Sequence, residues 1–274
     1  MTFALPRRRP ALALAGAMAL AAAAGCSSSG GSDNAAASSA PGAPASTAAL
    51  SGTVTVFAAA SLTGTFTQLG KDFEAAHPGV TVKFNFGGSD TLAASIVSGA
   101  PADVFAAAST TTMDTVTKAG DGTGIPNIFV RNQLEIAVPP GDPKGIKTLS
   151  DLTKPEIKVA LCATSVPCGA AAVKAETAGN LKITPVTLET DVKAALTKVE
   201  LGEVDAAIVY QTDVKAAGGK VQGVDFAESA QAINSYPIDV LKDAPNPSGA
   251  QAFEAFVLSA HGRDVFGAAG FQNP

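Results

Sequence analysis

The chain has 274 residues, of which 46% are hydrophobic and 16% are charged, and its formal net charge is −5 at pH 7. A mildly acidic, well-mixed charge without a basic stripe argues against a nucleic-acid-binding protein. The absence of Trp and the presence of only two Tyr argue against a platform that stacks sugars or bases.

The first residues have the pattern of an export signal. A basic cluster, Arg7–Arg9, precedes an apolar run from Pro10 to Ala24, which predicts a signal peptide over residues 1–25. The run is shorter than the roughly 20 residues that a permanent membrane span needs. The segment Ala23–Cys26 resembles a bacterial lipobox, which predicts lipidation of Cys26. An ordinary secretory signal with an incidental Cys is the alternative, and the general secretory and twin-arginine routes both stay open.

Residues 26–51 consist almost entirely of Ser, Gly, Ala, Pro, Asp, Asn and Thr. Such a segment buries too little apolar surface to offset its chain entropy, so we predict a lipid-anchored, disordered linker. About 220 residues then remain for folding, enough for one large α/β domain or two small lobes.

From Gly52 onward, short β-branched runs alternate with stretches of helical periodicity. Strands are predicted over 53–57, 80–86 and 104–107, and helices over 62–76 and 91–98. This alternation is typical of parallel, doubly wound α/β sheets.

The second half repeats the alternation. Strands are predicted over 133–139, 158–161, 206–210 and 236–241, and helices over 170–178, 192–200 and 251–259. The repetition indicates two similar lobes joined by two strands, with lobe 1 formed by 52–132 plus 236–274 and lobe 2 by 133–235.

Cysteine usage fits an exported chain. With Cys26 assigned to lipid, Cys162 and Cys168 form an even pair, which predicts a short disulfide loop. A metal site is the alternative, but no His or third Cys lies nearby to complete a zinc ligand set. We therefore expect no metal ion and no cofactor.

Four predicted helices begin at short loops of small or polar residues, and the first two of these loops follow predicted strands. The residues at or just before the helix starts include Ser61, Ser89, Cys168 and Val192. A helix N-terminus offers unpaired N–H donors and partial positive charge, which suit a small oxyanion. Each Ser or Asp there could instead be a structural cap. None of the four loops contains Lys or Arg, so any anion would be held by neutral donors; Tyr210, at a strand end, could add a phenolic donor.

Enzymatic interpretations have little support. The two histidines are His77, before Pro78 and Gly79 at a predicted turn, and His261, before Gly262 after the last predicted helix. No Walker loop or acidic metal-binding cluster occurs in the sequence. A serine hydrolase using Ser61 remains as an alternative class, although no nucleophile-elbow motif surrounds Ser61.

The order of motifs resembles the periplasmic molybdate-binding proteins of ABC importers. The resemblance covers essentially all of residues 52–272 and is carried by the segments Val54–Thr63, Gly88–Leu92, Gly99–Phe105, Val166–Gly169, Asp191–Leu196 and Ile208–Tyr210. It implies a two-lobed type II periplasmic binding protein that closes over its ligand. It also implies that the oxyanion is bound by Ser61 and Ser89, by the backbone N–H groups of Cys168 and Val192, and by the Tyr210 hydroxyl.

The resemblance further implies a receptor that binds molybdate, and tungstate too, and delivers it to a membrane ABC permease. Sulfate or phosphate is the alternative ligand. We expect a monomer on the outer face of the cytoplasmic membrane, in contact with the membrane only through its lipid.

Two residues depart from the family pattern. Cys168 stands where Ala is commoner, and Asp90 stands where Ser or Thr is usual; we expect Asp90 to cap its helix and face away from the anion.

Overall fold

The structure is a computed structural model that describes residues 49–274. The predicted signal peptide over 1–25, the predicted lipid site Cys26 and nearly all of the linker over 26–51 lie outside these residues. Within them, no helix combines the length and the apolar character that a membrane crossing requires.

Two five-stranded sheets form the framework. The first has the order β2-β1-β3-β10-β4 and the second the order β7-β6-β8-β5-β9. The strands are β1 (Gly52–Ala59), β2 (Val80–Gly87), β3 (Val104–Ala106), β4 (Asn127–Asn132), β5 (Leu134–Val138), β6 (Val159–Cys162), β7 (Thr187–Glu189), β8 (Ala206–Tyr210), β9 (Gln222–Val224) and β10 (Asn234–Val240).

Both sheets are mixed. Strand β1 runs parallel to β2 and β3, as the alternating pattern predicts, whereas β10 is antiparallel to β3 and β4. In the second sheet β6 is parallel to β7 and β8, and β5 is antiparallel to β8 and β9. The antiparallel strands are those next to the points where the chain changes sheet.

Helices cover the sheets and define two lobes. Against the first sheet lie α1 (Thr63–Ala76), α2 (Ser89–Val97), α3 (Thr110–Ala119), α7 (Pro247–Val257) and α8 (Ala260–Ala269), and against the second lie α4 (Pro167–Ala178), α5 (Val192–Glu200) and α6 (Gln211–Ala217). Four short 3-10 helices occupy Ala60–Leu62, Leu149–Thr153, Gly218–Lys220 and Ala227–Gln231. The prediction of His261 as a loop residue is wrong: it lies in α8 and pairs with Asp72 across 2.8 Å.

The two lobes have different cores. In the first lobe Phe66, which lies on the apolar face of α1, is fully buried and its ring centroid is 6.0–6.2 Å from those of four other phenylalanines, Phe84, Phe129, Phe253 and Phe266. The core of the second lobe is built mainly from Ala, Val, Leu and Ile. Dense packing of both kinds fixes the strand ends that carry the site.

Two chain segments join the lobes side by side. The chain leaves the first sheet at the end of β4, passes through Gln133 into β5, and returns from the second sheet into β10. Strands β4 and β10 are neighbours, with Asn132 opposite Asn234. The two-lobed α/β fold with a two-strand connection is thus confirmed, while the residue bounds given for each lobe stay a prediction.

Candidate functional site

A small cavity lies where the carboxyl ends of the parallel strands of both sheets face one another. The volume open to the centre of a water-sized sphere is about 10 Å³, so the cavity has room only for a compact group. It is lined by Ala59, Ala60, Ser61, Gly87, Gly88, Ser89, Ala108, Val166, Pro167, Cys168, Asp191, Val192 and Tyr210. All five residues selected from the sequence line this one cavity, and each is more than nine-tenths buried.

The first lobe contributes two hydroxyl groups. Ser61 lies in the 3-10 helix between β1 and α1, and its Oγ is 2.9 Å from the Tyr236 hydroxyl. Ser89 is the first residue of α2, and its Oγ accepts a hydrogen bond from the backbone N–H of Ala108 at 3.0 Å. Because that N–H can only donate, the Ser89 hydroxyl proton is available for an acceptor in the cavity.

The second lobe contributes backbone N–H groups. Pro167 occupies the first position of α4 and has no N–H, so Cys168 provides the first free donor of that helix. Asp191 caps α5 by accepting from the third N–H, that of Ala194, at 3.0 Å. The N–H groups of Cys168 and Val192 have no acceptor among residues 49–274. Both are therefore free to bind a ligand atom.

A disulfide fixes the loop that carries one of these donors. Cys162, at the end of β6, is bonded to Cys168 with a Cα–Cα distance of 5.8 Å. Gly169 follows, and a Cβ on it would collide with the carbonyl oxygens of Cys162 and Ala163. The predicted disulfide is thus confirmed, and it closes a tight turn at the cavity wall.

Tyr210 ends the buried strand β8 and is 1% exposed. Its hydroxyl is 2.6 Å from Nδ2 of Asn234. Burial is the main reason why the pKa of Tyr210 lies well above its usual value, so the phenol keeps its proton. The hydroxyl can therefore serve as a neutral donor.

The basic side chain beside the cavity is already paired. Among the described residues that line it, none is Lys or Arg. Lys193, the neighbour of Val192, instead contacts the buried carboxylate of Asp213 at 2.9 Å. Burial raises the pKa of Asp213 and outweighs the opposing effect of Lys193. An anion in the cavity would thus be bound by dipoles and hydroxyls rather than by a counter-charge.

The expectation that Asp90 caps α2 is wrong. Asp90 is not among the residues that line the cavity, and its facing away from the anion stays a prediction. Its side chain makes no cap hydrogen bond, and Oδ2 instead accepts from the Ser165 hydroxyl of the opposite lobe at 3.0 Å. Close by, a Cβ on Gly88 would collide with the carbonyl oxygen of Thr190. The lobes therefore touch at the rim of the cavity, and only a residue without a side chain fits at position 88.

Four further residues support the site and were missed in the sequence. They are Ala108, whose N–H holds Ser89, together with Asn132, Asn234 and Tyr236 on the strands that join the lobes. Asn132 and Asn234 stand next to predicted strands, which is only a weak signal of a functional role. They lie opposite each other because β4 pairs with β10.

Fold and cavity together define a binding protein that encloses a small ligand between two lobes. The sequence profile described as "Bacterial extracellular solute-binding protein" matches residues 54–272. The chain belongs to this family, whose members bind solutes outside the cytoplasm and are not enzymes. The alternative of a serine hydrolase is excluded by that membership, and within the described residues the hydrogen-bond partner of the Ser61 hydroxyl is a phenol rather than a base.

Several known proteins are similar to this chain. The molybdate-binding protein ModA of Mycobacterium tuberculosis is 44% identical over 221 residues, which cover 81% of this chain and 85% of that protein. The substrate-binding domain of a putative molybdenum ABC transporter from Clostridium difficile is 27% identical with a TM-score of 0.61, covering 81% of this chain and 99% of that one. The periplasmic molybdate-binding protein of Azotobacter vinelandii shares the fold, with a TM-score of 0.70, 20% identity, and coverage of 81% and 99%.

Proposed function

We propose that the chain is the receptor of an ABC importer for molybdate, with tungstate as a second ligand. The observation that carries the proposal is the cavity itself. It is compact, it is enclosed by both lobes, and its walls present unpaired helix N–H groups and hydroxyls without Lys or Arg. The names of the M. tuberculosis and C. difficile relatives support molybdate among the small oxyanions.

The five proposed ligand-binding residues divide between the lobes. Ser61 and Ser89 donate through their hydroxyls, Cys168 and Val192 through their backbone N–H groups, and Tyr210 through its phenol. A tetrahedral dianion offers acceptors in every direction, so donors arriving from both lobes would bind it most strongly when the lobes are closed. This arrangement couples ligand binding to the closed form that a permease would recognise.

Isothermal titration of the full chain tests the ligand. We expect molybdate and tungstate to bind far more tightly than sulfate or phosphate, because the anions share a shape and differ mainly in radius. Equal affinity for sulfate would contradict the molybdate assignment and leave a general oxyanion receptor.

The lipid anchor at Cys26 is a separate part of the proposal. It is supported by the lipobox-like segment Ala23–Cys26 and by the family's extracellular location. Mass spectrometry of the N-terminal peptide should find an acylated Cys26 in the membrane fraction. Cys26→Ala is the matched variant and should leave molybdate affinity unchanged while releasing the protein from the membrane. An unmodified Cys26 in membrane-bound protein would contradict the anchor.

A further inference from the structure

Three buried hydroxyl groups from both lobes lie at and behind the cavity. The Tyr236 hydroxyl lies 2.9 Å from Ser61 Oγ, and the ring centroids of Tyr210 and Tyr236 are 6.1 Å apart. Burial raises the pKa of both phenols, so all three groups carry a proton. We call Ser61, Tyr210 and Tyr236 the hydroxyl trio; Ser61 and Tyr210 line the cavity, and Tyr236 stands behind them.

The first support of the trio is Asn132, at the end of β4. Its side-chain oxygen accepts from the backbone N–H of Gln133 at 3.1 Å. That N–H can only donate, so the orientation of the amide is fixed and Nδ2 must face the other way. It faces Thr212 Oγ1 at 2.7 Å and the Tyr236 hydroxyl at 3.4 Å. Asn132 therefore presents a donor, not an acceptor, to the trio.

The second support is Asn234, at the start of β10. Its Nδ2 is 3.3 Å from the backbone carbonyl oxygen of Pro167, which can only accept. This contact fixes the second amide in the same way. The same Nδ2 lies 2.6 Å from the Tyr210 hydroxyl, so Asn234 is also a donor to the trio.

The two amides leave the trio without an outside acceptor for its protons. Within the described residues, the partners of the trio outside itself are the two amide nitrogens, and neither can accept a proton. Tyr236 is fully buried, and the acceptor within its reach among the described residues is Ser61 Oγ, so Tyr236 donates to Ser61. The protons of Ser61 and Tyr210 then have no acceptor behind the cavity, so both are available only to a ligand in front of it.

We propose that Asn132 and Asn234 are positioning residues that make Ser61 and Tyr210 obligate donors and so restrict the site to anions without a proton. The inference rests on the proposed function and names a source of its selectivity. An anion bearing an O–H would need an acceptor in the cavity wall, and its hydroxyl would meet a donor instead. Asn132 lies on β4 and Asn234 on β10, so the strands that join the lobes also orient the donors of the cavity.

Substitution of each amide by an isosteric carboxylate tests the proposal. In Asn234→Asp, Tyr210 can donate to the new carboxylate and leaves a lone pair towards the cavity. In Asn132→Asp, Tyr236 can donate to the carboxylate, so Ser61 can donate to Tyr236 and likewise leaves a lone pair towards the cavity. The probes are molybdate and hydrogen arsenate at mildly alkaline pH, where both are dianions and only arsenate carries a proton. The added charge repels both equally, so the ratio of their Kd values isolates the effect of the proton.

We expect the ratio of the arsenate Kd to the molybdate Kd to fall by roughly tenfold or more in both variants. Asn246→Asp is the matched control: Asn246 caps α7 outside the cavity, and its substitution should leave the ratio unchanged. A ratio within threefold of the unaltered chain, or arsenate binding that stays undetectable in both variants, overturns the proposal. If Asn234→Asp fails to fold because its carboxylate faces Pro167, Asn132→Asp decides alone. Failure of the unaltered chain to prefer molybdate over sulfate would instead refute the proposed function.

Discussion

The two halves of the cavity provide the same kind of donor by different means. The first lobe uses side chains: Ser61 and Ser89 each have their hydroxyl oxygen held by a second group. The second lobe uses the main chain: Cys168 and Val192 contribute free helix N–H groups, and nearby devices, a disulfide and an Asp cap, fix the loops that carry them. A side-chain donor can be lost by one substitution, whereas a main-chain donor is lost only when the backbone changes.

The largest effect is expected from Val192→Pro. Proline is well tolerated at the first position of a helix, and Asp191 before it is already extended, at φ −161° and ψ 170°. The variant therefore removes one N–H while the start of the helix is kept, and the change of the buried side chain is matched by the control below. Loss of a hydrogen bond to a charged ligand should weaken molybdate binding by about 1.5 to 3 kcal/mol, measured by titration. Val192→Ala, which keeps the N–H, is the control; equal losses in the two variants would show that the side chain matters instead.

Ser89→Ala tests the first lobe and should act differently. It removes a donor from the cavity and also leaves the buried N–H of Ala108 without its acceptor. Binding and folding should both weaken, each by about 1 to 3 kcal/mol, when titration is combined with urea unfolding of the ligand-free chain. Weaker binding with unchanged stability would show that water replaces the lost oxygen. The contrast with Val192→Pro separates donors that also support the fold from donors that do not.

The disulfide is expected to have a smaller effect on binding than on folding. The Cys162→Ala, Cys168→Ala double variant opens a loop of sequence separation 6, which should lower the free energy of unfolding by about 2 kcal/mol. The Cys168 N–H remains, so molybdate affinity should fall only severalfold, through looser positioning of the α4 turn. Thermal melts and titrations measure the two effects. A loss of affinity as large as that of Val192→Pro would mean that the bond, rather than the helix, orients this donor.

The same contrast explains how far the sequence could predict the site. Loops of small and polar residues before helices predicted the four helix N-termini. The disulfide was predicted because Cys162 and Cys168 are an even pair in an exported chain, and their sequence separation of 6 makes the contact local. Helices α3, α6 and α8 and strands β4, β7 and β9 were missed. The threonine-rich start of α3 has weak helical periodicity, and Asn127–Asn132 mixes polar and apolar residues without clear alternation.

Contacts between residues far apart in the chain could not be predicted from the sequence either. Asn132, Asn234 and Tyr236 reach the cavity only because β4 and β10 pair antiparallel, and no local pattern encodes that pairing. Asp90 was misjudged for a similar reason. A carboxylate in the first turn of a helix usually serves the helix, but its partner here, Ser165, lies on the other lobe and 75 residues away in the sequence.

In the second lobe, away from the cavity, Glu135 should make the free energy of unfolding depend on pH. Burial, followed by the neighbouring Asp225, raises the pKa of Glu135 on β5 to about 7 from its usual 4.5. The folded state thus holds the proton more tightly than the unfolded state. The associated stability is fully present below about pH 4.5 and is lost as the pH rises through about 7. Glu135→Gln should therefore stabilise the chain at pH 8 relative to the wild type but not at pH 4, in urea unfolding at both values. An equal difference at both pH values would place the cause in packing, and molybdate affinity should not change.

The smallest effect is expected at the rim, where the two halves of the cavity meet. Asp90 places a negative charge beside Gly88, which lines the cavity, and also accepts from Ser165 of the other lobe. These roles oppose each other for a dianion: the charge repels the ligand, and the hydrogen bond favours the closed lobes. Asn in place of Asp90 keeps an acceptor and removes the charge, so Asp90→Asn should tighten molybdate binding, by about 1 kcal/mol or less at this half-buried position on the rim. Ser165→Ala removes only the bond and should weaken binding by a similar amount, mainly through faster dissociation in stopped-flow measurements. Added salt should diminish the first effect and leave the second. If both variants weaken binding equally and without salt dependence, the rim acts only as a latch, and the charge of Asp90 is not felt in the cavity.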